Sequence, residues 1–366
     1  MKFRVSRETL LRPLQVAGGV VERRQTLPIL SNVLLQVSGD TLTMTGTDLE
    51  VELTATTHVS DVEAGEITVP AKKFVDICKS LPEGAELEFR VDEGKALVRS
   101  GRSRFSLATL PANDFPATDD VSGGIEFTLT HVQLKTLIER TQFCMANQDV
   151  RYYLNGMLLE IDRDVVRAVA TDGHRLAYSE IGAEVGVSVK HQVIVPRKGV
   201  GELGRLLGDR EERVNVRMNA NHIRVDFDGM VMTSKLIDGR FPDYERVIPR
   251  QSGKQVVADR ETLRQALARA AILSNEKYRG VRIEFSSGKL RALVSNPEQE
   301  EAEEEIEVDY QGDLFEIGFN VSYMLEALNA VREDKVRLGL TDANSSCLLQ
   351  GLEDKATRYV IMPMRL

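Results

Sequence analysis

No apolar run in this chain of 366 residues approaches the ~18 needed to cross a bilayer as a helix, and the opening MKFRVSRETL has no apolar h-region for export. A membrane or secreted protein is therefore not expected, and a cytoplasmic location is. Cysteine is equally sparse. Cys78, Cys144 and Cys347 lie far apart, with no C-x-x-C and no clustered histidines, so neither a zinc site nor a disulfide framework is suggested. Buried, reduced thiols are expected instead. No G-x-x-x-x-G-K-[ST] occurs, so the chain should not hydrolyse nucleotides itself. No metal and no cofactor is called for.

What is present is repetition. Leu27 to Leu53, Asp149 to Ser179 and Glu276 to Val308 each run from an alternating apolar stretch through a polar turn to a second alternating stretch. Each then reaches a turn opened by Thr47-Asp48, Thr171-Asp172 or Ser295-Asn296. A strand-then-helix pattern begins at Phe3, Phe127 and Val256, offset by 124 and 129 residues, and a second begins at Thr68, Ile194 and Gly318, offset by 126 and 124. Four landmarks at nearly equal spacing imply three homologous domains, 1–120, 121–248 and 249–366. The Gly-, Pro- and Ser-rich stretches at 116–124 and 248–254 suit the joints. Within each third a βαβββ unit occurs twice, predicting an α+β fold with two amphipathic helices and two antiparallel sheets per domain. Phe74, Ile77, Cys78 and Leu81 fall on one helical face, Val200, Leu203, Leu206 and Leu207 on the equivalent one.

A net charge of −9 argues by itself against nonspecific nucleic-acid binding. Its distribution reverses that inference. The six helix windows 6–17, 71–80, 131–143, 196–207, 259–271 and 321–332 carry 14 basic and 7 acidic residues, so the rest of the chain holds all the negative excess. Helices gathered on one side would give that side a positive face inside an acidic protein.

Two stretches invite an enzymatic reading. Gly199, Gly201 and Gly204 form a G-x-G-x-x-G after an apparent strand, the context of a dinucleotide site. The equivalent helix of the first third, KKFVDI, has no glycine, and sheet meanders follow rather than parallel crossovers. Asp172-Gly173-His174-Arg175 offers a His beside a carboxylate, but no nucleophile or second carboxylate accompanies it, and Asp-Gly equally makes a turn whose His174 and Arg175 decorate a binding groove. Arg99, Arg102 and Arg104 near one end, against the acidic run Glu298 to Glu305 near the other, are what a head-to-tail contact would use, with Phe105, Leu107, Ile272 and Leu273 as apolar anchors. A monomeric scaffold without DNA is the remaining alternative.

The segments TLPIL (26–30), VRSGRSRFSL (98–107), DVRYYLNGML (149–158), ATDGHRLA (170–177), VPRKG (195–199), DGRFPDY (238–244), NPEQEEAEE (296–304) and the final MPMRL resemble, over the whole chain, the bacterial DNA polymerase III beta subunits, the replicative sliding clamps. The resemblance implies a non-enzymatic processivity factor: a head-to-tail homodimeric ring of six domains, lined by twelve helices, around double-stranded DNA. It implies DNA contacts at Arg24, Lys72, Lys73, Gln148, Tyr152, Tyr153, Arg197 and Lys198, with Arg23 a possible duplicate of Arg24. It implies a cleft for short linear motifs of the polymerase III catalytic subunit, the clamp loader, other polymerases and repair proteins. That cleft is built from Leu154, Thr171, Gly173, His174, Arg175, Leu176, Pro242, Arg246, Val247, Tyr323, Ser346, Val360, Met362, Pro363 and Met364. Lys73, Arg102, Arg104, Phe105, Leu107, Ile272, Leu273, Glu298, Glu300, Glu301 and Glu304 would form the dimer interface. Association with the nucleoid during replication would follow, with loading by an ATP-driven partner.

Overall fold

The computed structural model describes residues 1–21, 27–116, 118 and 121–365. Six α-helices occur among them: α1 Arg7–Ala17, α2 Ala71–Ser80, α3 His131–Thr141, α4 Arg197–Leu206, α5 Arg260–Ala270 and α6 Val321–Ala330. Each starts directly after a strand. Ser6, Asp259 and Asn320 stop the preceding strand and cap α1, α5 and α6 by accepting backbone N–H groups of the first turn. On α2, Ala71, Phe74 and Cys78 are buried while Lys72 and Lys73 are exposed, so the apolar stripe predicted from spacing is the one that packs.

Every strand pairing between consecutive strands is antiparallel, but the pairing is not confined to one repeat unit. In the first third the meander Asn32–Ser38, Thr41–Thr47, Val51–His58 is flanked by Gly65–Pro70, the leading strand of the second unit. The second meander, Glu86–Asp92, Lys95–Ser100, Ser103–Ala108, is flanked by Lys2–Ser6, the leading strand of the first. The same exchange recurs with Ile125–Thr130 on Arg213–Met218, His191–Pro196 on Gly156–Asp162, Lys254–Asp259 on Lys335–Leu340, and Phe315–Asn320 on Gly280–Ser286. Each half-unit thus lends its first strand to the other, and neither completes a sheet alone.

The sheets also run on across the repeat joints. Met230–Lys235, last strand of a second meander, pairs with Val51–His58, last strand of a first meander, and fuses two four-stranded sheets into one of eight. Arg175–Gly182 and Thr357–Ile361 make the same junction in another eight-stranded sheet. The two antiparallel sheets expected per domain are present, and four of the six are fused in pairs across the joints. The chain divides into two compact units, Met1–Val132 with Lys198–Leu236, and Gln133–Arg197 with Ile237–Leu366, because each is assembled on one of these continuous sheets.

Two meander-ending strands stay at a sheet edge instead of joining another meander. Ser103–Ala108 ends a five-stranded sheet and Glu301–Glu307 ends a four-stranded one, each paired on one side only among the described residues. The three cysteines are buried, and burial pushes the thiols of Cys78 and Cys347 up to about 12. They are inert packing groups.

Candidate functional site

A mostly apolar-walled opening lies in the second compact unit, a cavity of about 230 Å³. Its walls come from three places. The turn between Val165–Thr171 and Arg175–Gly182 contributes Thr171, Gly173, Arg175 and Leu176; the short helix Tyr152–Leu154 contributes Tyr153 and Leu154; and the segment around the short helix Tyr244–Arg246 contributes Phe241, Pro242, Tyr244 and Val247. Val360 and Met362 close it from the C-terminal strand. Beneath lies a packed cluster of Leu158, Val169, Leu176, Tyr178, Ile194, Phe241, Tyr244, Ile248 and Val360, so the walls are held by core rather than by loop.

The turn is built by its aspartate. One Asp172 carboxylate oxygen accepts the backbone N–H of His174 at 2.9 Å and of Arg175 at 3.1 Å, and Gly173 takes φ +88°, which an L side chain rarely adopts. Asp48 does the same for Glu50 and Val51, at 2.9 and 2.7 Å, which is why the motif recurs in the sequence. The other Asp172 oxygen accepts from Arg175 Nε at 3.1 Å. The Arg175 guanidinium also donates to the Phe143 carbonyl at 2.8 Å, pairs with Glu326, and lies 4.4 Å from the Tyr323 ring centre. It is a strut of the wall with its hydrogen bonds committed. The His174 imidazole makes no hydrogen bond or ion pair among the described residues; it stacks near Tyr323, centroids 6.5 Å apart. With Asp172 spent on the turn and on Arg175, no carboxylate among the described residues hydrogen-bonds the imidazole to orient it as a general base.

The expected cleft residues separate into two groups. Leu154, Thr171, Gly173, Arg175, Leu176, Pro242, Val247, Val360 and Met362 line the cavity. His174 and Tyr323 form the stacked pair beside Arg175, and Arg246 is exposed and held by Asp243 at 2.8 Å. Ser346 and Pro363 are half-buried outside the lining. Met364 is bound through its N–H to the Gly318 carbonyl at 2.8 Å and lines a different cavity with Tyr278 and Arg282. Sequence reasoning passed over Arg151, Phe241 and Tyr244, although the last two sit in the DGRFPDY segment that it used for Pro242.

Arg151 ties the neighbouring loop to this wall. It grips Asp149 at 2.8 Å and reaches the Asp172 carbonyl at 3.2 Å, and its hydrogen bond holds the Asp149 carboxyl at about 2, well below the usual carboxylate range. In that loop Gln148 is exposed with φ +56°, Tyr152 is exposed, and Tyr153 turns into the cleft. Among the other expected DNA contacts, Lys72 and Lys73 are exposed on α2, Arg197 donates to the Met145 carbonyl at 2.9 Å, and Lys198 pairs with Asp48. Arg23 and Arg24 lie outside the described residues. Gly199, Gly201 and Gly204 all lie inside α4, and the strand before it, His191–Pro196, pairs antiparallel. There is no strand-to-helix glycine turn to cradle a phosphate, so the dinucleotide reading is set aside.

At the open edges, Arg102 and Arg104 are exposed on or beside Ser103–Ala108, while Phe105 and Leu107 turn toward the core. On Glu301–Glu307, Glu301 is exposed and Glu304 points to α5, where Arg269 holds it at 2.6 Å and keeps its carboxyl below the ordinary range. Glu298 is exposed, and Glu300 accepts from the Asn296 amide at 2.7 Å. Ile272 is 76% exposed, with Leu273 half-buried beside it.

Six strand–helix–meander units that exchange leading strands in pairs define a clamp-type α+β protein. Family models for the N-terminal, central and C-terminal domains of the DNA polymerase III beta subunit match residues 1–119, 128–243 and 245–365. The chain is 57% identical to the beta sliding clamp of Pseudomonas putida and 54% to that of Escherichia coli K12, each aligned over the full length of both chains. The crystal structure of the Pseudomonas aeruginosa DNA polymerase III subunit beta superposes with a TM-score of 0.98 at 55% identity, covering all of both chains. The chain belongs to the DNA polymerase III beta subunit family, the beta sliding clamps. It is a processivity factor of DNA replication and not an enzyme; a dimeric ring acting with DNA and polymerase is the assembly this family implies.

Proposed function

We propose that two copies of this chain close head to tail, through Ser103–Ala108 of one and Glu301–Glu307 of the other, around duplex DNA. One observation carries this. At both internal joints the last strand of a second meander pairs with the last strand of a first meander from the preceding third. Two strands are left over from that rule: Ser103–Ala108, which ends the second meander of the first third, and Glu301–Glu307, which ends the first meander of the last third. Their charges are opposite, with Arg102 and Arg104 on one and Glu298, Glu300 and Glu301 on or beside the other, and Ile272 supplies an uncovered apolar side chain. Lys73 adds a further cation, and Phe105, Leu107, Leu273 and Glu304 shape the edges from the core side. The three thirds, 1–120, 121–248 and 249–366, are the units that this rule joins.

Inside the ring, Lys72, Lys73, Arg197 and Lys198, with Gln148, Tyr152 and Tyr153, meet phosphates rather than bases. Such binding is sequence-blind and weakens with salt, which permits sliding. Topology then supplies the retention. The apolar cleft, with His174, Tyr323, Arg246, Ser346, Pro363 and Met364 around its lining, takes short segments of the polymerase III catalytic subunit, the clamp loader, other polymerases and repair proteins. The setting is the cytoplasm, on the nucleoid during replication.

Loading onto circular DNA followed by linearisation tests the ring. Loss on linearisation, and not before, is the expected result; equal retention on circular and linear DNA would reject topological linkage.

A further inference from the structure

On the far side of Tyr244 from the cleft lies a second, larger cavity of about 700 Å³. Tyr244 lines both, and the chain steps from Val247 in the cleft wall to Ile248, Pro249 and Arg250 in the wall of this one. Its character is different. In an acidic protein it gathers five cations, Arg167, Lys190, Arg250, Lys355 and Arg358. Arg167 and Lys190 are committed to the fully buried Glu160, both at 2.8 Å, and so form a fixed floor. Arg250, Lys355 and Arg358 have no carboxylate partner among the described residues, and Arg358 leans on the Tyr178 ring at 5.4 Å. Three cations left unneutralised around one concavity attract carboxylates.

We propose that this basic cavity is a second subsite for the partner polypeptide that fills the cleft, taking an acidic stretch adjacent to the apolar docking segment. The inference rests on the cleft reading above. Asp162 and Glu245 in the rim disfavour a long polyanion such as nucleic acid, while leaving room for one or two carboxylates. The shared Tyr244 wall makes a short extension sufficient, since four extended residues reach about 13 Å.

The test uses a fluorescent peptide carrying the clamp-binding segment of the cognate polymerase III catalytic subunit, alone and with four glutamates added at either end. It is titrated against the whole protein and its Arg250→Glu/Lys355→Glu variant in low and high salt. The expected result is a gain of about tenfold from one of the two extensions, reduced by salt and absent in the variant, with the unextended peptide binding both proteins equally. No gain from either extension, or a gain that survives in the variant, overturns the proposal. A gain matched by an equal length of single-stranded DNA attached to the same peptide overturns it in favour of a general polyanion site. Failure of the unextended peptide to bind would instead strike at the cleft reading.

Discussion

The hydroxyl of Tyr244 donates to the buried carboxylate of Glu160 at 3.0 Å, fastening the short helix that walls the cleft to strand Gly156–Asp162 of the sheet behind it. Burial pushes the Glu160 carboxyl up, but Lys190, Gln192, Arg167 and Tyr244 together outweigh it, and the group stays ionised below its ordinary range. Burial and the neighbouring Glu160 raise the phenol of Tyr244, so it remains a donor. Tyr244→Phe removes one bond from a carboxylate that keeps three others, and should cost about 1–2 kcal/mol in urea unfolding. Because the ring survives, peptide affinity should stay within about twofold, whereas Tyr244→Ala should lower it by more than about tenfold. Equal peptide affinity of the two variants would show that the ring is not part of the docking wall.

Much of this was legible in the sequence because it is local. The strand-then-helix units follow from the patterns at Phe3, Phe127 and Val256, the cleft turn from Thr171-Asp172-Gly173, and the repeat from spacing alone. The strand exchange between half-units was not legible, since Lys2–Ser6 and Gly65–Pro70 alternate in the same way whichever meander they join. Nor was the Glu160 network, whose members lie up to 84 residues apart along the chain. The acidic run at Glu298–Glu305 leads into the edge strand Glu301–Glu307, but charge patterning does not reveal that Glu304 alone of its carboxylates turns inward to Arg269.

His131 is fully buried at the start of α3, where its Nδ1 accepts the Gly208 N–H at 3.3 Å and Nε2 has no hydrogen-bond partner among the described residues. Burial first, then Arg210, depresses its pKa. The unfolded chain therefore takes up this proton at a higher pH than the folded one, and stability falls as pH drops below about 6.5 toward the folded value. His131→Phe should lower stability at pH 8 yet flatten the decline between pH 7 and 5, by at most about 1.4 kcal/mol per pH unit. Urea midpoints across that range check it; parallel wild-type and variant profiles would assign the slope elsewhere.

Gly46 lies tight against the end of α1: a Cβ there would lie 1.9 Å from the Ala17 carbonyl oxygen, a backbone atom that cannot swing aside. The equivalent position in the second repeat is Ala170, which is buried without such a clash. Gly46→Ala should destabilise the first compact unit by about 3 kcal/mol through forced backbone displacement. The check is a denaturant titration alongside Ala170→Gly, expected to cost only about 1 kcal/mol.

The open edges make the strongest quantitative demand on the ring. If Ser103–Ala108 pairs with Glu301–Glu307 of a second chain, Arg104 leaves water for an acidic neighbour, and Ile272 buries the side chain that is 76% exposed in one chain. Burying such a residue contributes about 1.5–3 kcal/mol, so Ile272→Ala with Leu273→Ala should raise the dimer dissociation constant by at least about tenfold. Arg104→Glu places like charges across the joint and should act in the same direction, more strongly at low salt than at high salt. Sedimentation velocity at micromolar concentration would then show species near the 40.8 kDa of one chain. An unchanged dimer in both variants would move the interface away from these edges and take the strand-pairing rule with it.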